Sequence, residues 1–340
     1  MATMIQLTGT AINGIGPNVA SAAVAQLPKT VCLGRNKPKA ARSCLMLEEY
    51  VELPAAGVLP ESISRREKAA LSIARMYRND VQGCCVISGK AHNLGVWSAN
   101  DSDSGGLVMA TDAEIDSQYR GICGPGDNGC MITDVLDVMR SKGFQASGKL
   151  YKIDGYVSVD WTNKELTKVA QVIFGAGTIG FDLPSSWTNS AVWDVTNSGI
   201  VGGHDVSPID YDERGVYVSS WGRIYLMTWA AWTSRRWTSE YYAMLAPLWY
   251  GSDMIAPCGL DAETLKADLA KVDVGIIPDI EPPPPPVPTP DAPYQIALGA
   301  DLPAGPCSIS TKAGMVPANV STARPAGTYL MTKIDPAPPQ

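Results

Sequence analysis

Two stretches hold the residue types that could do covalent chemistry. The first is NDVQGCCVISG (79–89), where Cys84 and Cys85 follow Gly83 at the start of an apolar, helix-compatible run. A cysteine in the first turn of a helix feels the positive end of the macrodipole, which lowers its pKa and favours thiolate. The second is GGHDVSPIDYDERGVYVSSWG (202–222), which holds His204, one of two histidines in the chain. An imidazole brought beside a thiolate completes an ion pair and gives a nucleophile for acyl transfer. Two plainer readings compete: a pair of buried structural cysteines, and a histidine that is only a polar residue on a strand.

The order Cys, then His, then a polar residue before Trp-Gly adds weight to the chemical reading. The second stretch resembles a signature of papain-like cysteine peptidases, in which Gly-His-Ala-Val opens one strand and Asn-Ser-Trp-Gly closes the next. NDVQGCC resembles a diverged form of their first signature, in which a glutamine precedes Gly-Ser-Cys-Trp. The resemblance implies Cys85 as nucleophile, with Cys84 in the place of the family's serine, and His204 as general base 119 residues on. It implies Asn79 as the amide that helps bind the oxyanion, with Gln82 as the rival donor. Ser219 stands where the family's asparagine would orient the imidazole, and Trp221 where a tryptophan would shield that bond. Val86 replaces the tryptophan that follows the family's nucleophile. A looser resemblance over residues 60–260 is to papain-fold proteins encoded by tailed bacteriophages. The peptidase resemblance implies hydrolysis of peptide or amide bonds in a peptide or protein substrate. A phage-particle protein that keeps the fold with a weakened site is the alternative.

These residues need a helix to carry Cys85 and a strand to carry His204. Apolar spacing predicts helices over 61–78, from Cys85 to about Ala99, and over 111–122, 128–144 and 164–174. Alternation predicts strand in 148–161 and 178–184, and mostly strand and turn after 200, with DERG (212–215) as a hairpin turn. Helices early and strands late argue α+β rather than a doubly wound sheet. The implied architecture is a papain-like two-lobed fold with N- and C-terminal extensions: a helical lobe carrying the cysteine and a β-barrel-like lobe carrying the histidine. GAGTIG (175–180) has the glycine spacing of a dinucleotide loop, but a helix precedes it and a strand follows, the reverse of what that loop requires. It is predicted to be a helix-to-strand turn.

Residues 276–293, IIPDIEPPPPPVPTPDAP, predict an extended proline-rich linker. It separates a domain at 56–275 from a small C-terminal segment at 294–340, with 1–55 as an N-terminal arm. Residues 1–47 contain no acidic residue, and 29–42 carry five positive charges. That stretch reads either as a solvated arm or as one that docks on an acidic partner surface. The arm and the C-terminal segment are candidate contacts with other virion proteins.

Net charge is −7 and the pI about 5.0, so no basic field draws the chain to nucleic acid. No run of 18 apolar residues occurs, and no membrane role is expected. The N-terminus shows neither a basic leader nor a compact apolar run, so a signal peptide is not expected, and the setting implied is a virion or host cytoplasm. Eight dispersed cysteines predict free thiols rather than a disulfide framework. Two histidines and no Cys-x-x-Cys pair supply no usual zinc set, and no cofactor or metal is expected. His92 lies two helical turns beyond Cys85, too far along the axis to act on it. Asp205 should face away from His204 on a strand. Seven of nine tryptophans fall between 187 and 249, as core and cleft wall, and SRRW (234–237) reads as a turn.

Overall fold

The computed structural model describes residues 32–38, 44–51, 53, 59–101 and 106–250 with their side chains, and four C-terminal strands by their backbone. The chain divides into two units, Met1–Pro283 and Pro284–Gln340. In the first, residues 32–38 form an extended strap in which β1 (Arg35–Asn36) pairs in parallel with β2 (Cys130–Met131). The helices that follow are α1 (Ala70–Ile73), α2 (Cys85–Asn100), α3 (Asp112–Cys123) and α4 (Ile132–Ser141). A hairpin of β3 (Phe144–Ala146) and β4 (Lys149–Tyr151) leads to β5 (Gly155–Ser158). Next come α5 (Lys164–Phe174), β6 (Gly177–Pro184), β7 (Val192–Trp193), β8 (Ile200–Tyr211), β9 (Gly215–Ser220) and β10 (Arg223–Thr228). The unit closes with α6 (Trp229–Trp232), β11 (Thr238–Leu245) and α7 (Pro247–Tyr250).

Helix α2 is buried along almost its whole length, which explains why its sequence has no polar stripe. Its polar side chains are paired: Asn93 donates to the Gly177 carbonyl at 2.9 Å, and Trp97 to that of Phe174 at 2.9 Å. Lys90 donates to Asp205 and Thr178 on the sheet beneath. The approach is close because residue 89 is glycine; a Cβ there would stand 2.6 Å from an Asp205 carboxylate oxygen. The sheet has seven strands in the order β5-β11-β6-β8-β9-β10-β7. One face of β8, carrying Asp205 and Ser207, meets α2, where the Ser207 hydroxyl donates to the Gly89 carbonyl at 2.8 Å. The other face, carrying His204, meets an aromatic cluster of Phe181, Trp187, Trp193, Trp221 and Tyr225.

The architecture is α+β, as expected, but the strand-rich half is an open sheet ending in β5 and β7, not a closed barrel. The helices at Cys85, 111–122 and 164–174 form where the periodicity places them. GAGTIG is the turn from α5 into β6, and DERG joins β8 to β9. The expected helix over 61–78 shrinks to α1. Tertiary contacts override propensity there: Ile63 bridges to Tyr211, and Asp210 takes the Arg65 backbone N–H and the Arg66 guanidinium, each at 2.6 Å. Positive φ at Tyr77 and Arg78 then turns the chain into α2's approach. The expected helix at 128–144 yields its first residues to β2.

Free thiols were the expectation, yet Cys123 and Cys130 form a disulfide, their Cα atoms 5.2 Å apart, because the loop after α3 turns back at Gly124 to reach β2. Cys32, Cys44, Cys84 and Cys85 are free. In the second unit β12 (Tyr294–Leu298) pairs with β15 (Gly327–Met331), and β13 (Gly305–Thr311) with β14 (Gly314–Val320), both antiparallel. The proline-rich linker and residues 1–31 lie outside the described residues.

Candidate active site

Cys85 opens α2 and is 1% exposed. Its thiol meets the backbone at Asp205 on β8 and at Gly34 in the strap. Burial pushes the thiol up to about 12 from an ordinary 9.0, the Asp205 charge adds to this, and those two backbone hydrogen bonds pull the other way. The lowering expected from the helix N-terminus is therefore outweighed. Cys84 has a different role. Its thiol donates to the Tyr77 carbonyl at 3.4 Å and lies 3.2 Å from the Ser88 hydroxyl, buried between them.

His204 is fully buried on the strand whose next residue touches Cys85. Its Nε2 lies 2.8 Å from the Ser220 hydroxyl, while Nδ1 has no hydrogen-bond partner. Trp221 stacks on the ring with centroids 4.1 Å apart and planes 14° from parallel, and Phe181 meets it edge-on. Burial lowers the imidazole to about 3 from 6.5, so it rests neutral. The hydroxyl that holds it is thus Ser220, not Ser219. Ser219 pairs with Ser207 across the strands and shares its face toward α2, where its hydroxyl has no partner.

Of the two amides, Asn79 reaches the strap and Gln82 does not. Asn79 Nδ2 donates to the Cys32 carbonyl at 3.1 Å and to that of Gln82 at 3.2 Å. The Gln82 amide is turned to α3, donating to Asp116 at 2.8 Å. Trp221, besides stacking, donates from Nε1 to the Cys32 carbonyl at 3.4 Å. His92 stands two turns along α2, edge-on to Tyr77. Asp205 faces away from His204, as strand alternation requires, and pairs with Lys90 at 3.1 Å.

Residues that sequence reasoning did not single out cover this site. The strap runs between the loop before α2 and the start of β8. The Cys32 N–H donates to the Asn79 carbonyl at 3.0 Å, and the Gly34 carbonyl accepts from Cys130 N at 2.7 Å. Leu33 lies on Gly202, and the Arg35 carbonyl on Gly203. Gly34 sits so close to Gly83 that a methyl at residue 34 would fall on the Gly83 carbonyl. The Arg35 guanidinium enters a pocket of Glu240, Ser239 and Asp182, and Lys37 pairs with Asp182 at 2.6 Å. This part of the basic stretch is therefore not a solvated arm; the acidic surface it meets belongs to its own chain. The available signal was a Leu-Gly-Arg core in an acid-free segment, with no local feature to say where it docks.

No protein-family model matches the chain, and no curated protein matches it. Among solved structures it is similar to xylellain, a cysteine protease from Xylella fastidiosa, at 17% identity and a TM-score of 0.49, covering 66% of this chain and 99% of that one. It is also similar to procathepsin B S9 from Trypanosoma congolense at 12% identity and a TM-score of 0.47, covering 63% and 86%. A third likeness is to a cysteine protease of Carica candamarcensis at 16% identity and a TM-score of 0.43, covering 55% and 99%.

Proposed function

We propose that the chain is a papain-like cysteine peptidase-fold hydrolase, phage-encoded, that cleaves peptide or amide bonds with Cys85 and His204. The observation that carries this is the imidazole: Ser220 holds Nε2, Trp221 covers the ring, and Nδ1 is left without a partner. With Nε2–H donating to Ser220, Nδ1 carries the lone pair a general base needs. Once the strap yields its place to a peptide, Nδ1 takes the Cys85 proton and the thiolate attacks the carbonyl carbon. The Asn79 amide and the first backbone N–H of α2 bind the oxyanion. The imidazolium then protonates the leaving amine, and water, deprotonated by the same nitrogen, hydrolyses the thioester. Ser220 is a positioning residue throughout.

A second reading is a structural or interaction protein of a phage particle that keeps the fold without turnover. The complete burial of a neutral imidazole and a raised thiol favours it. The phage origin, and a virion or host-cytoplasm setting, are supported by the sequence resemblance over 60–260 and by the terminal segments suited to anchoring. Full-length Gly34→Ala, which cannot seat the strap, separates the two readings. Incubated with a mixture of peptides from a denatured protein, it should generate new peptide termini that Gly34→Ala/Cys85→Ala does not. A folded Gly34→Ala protein that generates none leaves the second reading standing.

A further inference from the structure

We propose that Glu240, Ser239 and Asp182 form a specificity pocket for an arginine side chain of the bound peptide, a pocket the chain's own Arg35 fills at rest. The proposal takes its setting from the hydrolase reading, but the recognition it describes is a binding property. Arg35 Nε donates to Glu240 Oε1 at 2.7 Å, and Nη2 donates to the same oxygen and to the Ser239 hydroxyl. The second Glu240 oxygen accepts from the Tyr242 hydroxyl at 3.1 Å, which fixes the carboxylate against the guanidinium. Nη1 points toward Asp182 at 3.7 Å, beyond hydrogen-bond reach, and has no other partner although the side chain is fully buried. The pocket therefore holds two carboxylates against one guanidinium, with donors and acceptors arranged along one edge of the fork.

Two features mark this as a subsite rather than a structural ion pair of the fold. Residue 180 forms the floor: a Cβ on Gly180 would stand 2.6 Å from Arg35 Nε and 2.8 Å from Glu240 Oε1, so the volume exists only because that strand position is glycine. The strap is also extended, as a bound peptide would be: Arg35 and Asn36 pair with Cys130 and Met131 in a short parallel ladder, and the Gly34 carbonyl accepts the Cys130 N–H. Backbone bonds of this kind give an extended peptide affinity, and side-chain pockets give selectivity. Gly34 meets the Cys85 thiol, so the pocket selects the peptide residue next to the one over the nucleophile.

The test uses full-length Arg35→Ala, which vacates the pocket. A fluorescent extended peptide containing arginine is compared with its twin carrying citrulline, which has the same shape and no charge. Anisotropy reads binding, and chromatography of the same samples reads cleavage. Arginine should bind ~10–100-fold more tightly than citrulline, the range for hydrogen bonds to a buried charge. Adding Glu240→Gln should abolish the preference, and Asp182→Asn, at a more exposed position, should reduce it if the first double variant does not fold. Preference without cleavage upholds the pocket and overturns the hydrolase reading. Cleavage of both peptides without preference, or a preference unmoved by Glu240→Gln, overturns the pocket and leaves the hydrolase reading intact. Failure of Arg35→Ala to bind or cleave either peptide overturns the pocket.

Discussion

Replacing Gly34 by alanine adds one methyl group outside the proposed catalytic groups, and the structure says what it must do. The new Cβ would fall on the Gly83 carbonyl, backbone against backbone, so no rotamer change relieves it and the strap must retreat by an ångström or more. In the closed state the Cys85 thiol stands at about 12 against an ordinary 9.0. That difference cuts the thiolate fraction below pH 9 by ~10³, or about 4 kcal/mol at 1.36 kcal/mol per tenfold step. Uncovering an isolated thiol can recover at most that factor, since α2 and β8 still shield one side. A larger gain requires a partner that stabilises thiolate, and under the proposed mechanism that partner is His204, whose Nδ1 has no hydrogen-bond partner.

Iodoacetamide labelling at pH 6, mapped residue by residue by mass spectrometry, separates these contributions. Gly34→Ala should label Cys85 more than ~10³-fold faster than the wild type, and Gly34→Ala/His204→Ala should fall back to ~10²–10³-fold. Cys84, held by Ser88 and Tyr77, should stay slow in all three. Equal acceleration with and without His204 would refute the dyad while sparing the strap. No acceleration in a Gly34→Ala protein with unchanged melting and circular dichroism would refute the coverage as well.

Two further outcomes follow from the same geometry. Ser220→Ala, which frees His204 Nε2, should slow labelling and any peptide turnover ~10–100-fold and shift their pH profiles, whereas Ser219→Ala, whose hydroxyl has no partner, should change neither. Acid should destabilise the fold early. Burial lowers His92 and His204 from 6.5 to about 3, so below pH 6.5 the unfolded chain takes up protons the folded chain refuses. Asp205, raised from 3.8 to about 6, opposes one of them between those values, leaving a net loss of roughly 2–3 kcal/mol from pH 7 to pH 5. Urea midpoints across that range should show it, with His92→Phe removing about three-quarters of the loss because Asp205 then nearly offsets His204; a flat wild-type profile would contradict the burial of both imidazoles.

What could be read from the sequence was what local physics decides. Helix α2 is an unbroken apolar, helix-compatible run, and α5 carries a clear helical periodicity with Asn163 capping Leu166 N. Cys85 on a helix start and His204 on a strand follow from the same kind of signal. The choice between Ser219 and Ser220 does not, because it depends on cross-strand register. Ser219 pairs with Ser207, three residues beyond His204, which puts it on the opposite face, and a bulge between Pro208 and Asp210 hides that parity from any count along the chain. The strap is harder still: its partners lie 47 to 205 residues away, and nothing local in CLGRNK encodes them.

The thiol shows how such non-local contacts change chemistry and not only shape. A helix N-terminus stabilises a nearby anion by about 0.3–1 kcal/mol, so sequence alone points to a lowered pKa. Burial between Asp205 and Gly34 raises the group from 9.0 to about 12, a penalty of about 4 kcal/mol. The larger effect wins, and part of that enclosure comes from the strap at Gly34. The resting state of Cys85 is therefore set by what lies over it rather than by the helix that presents it. Any reactivity the site has must appear as a property of the uncovered chain.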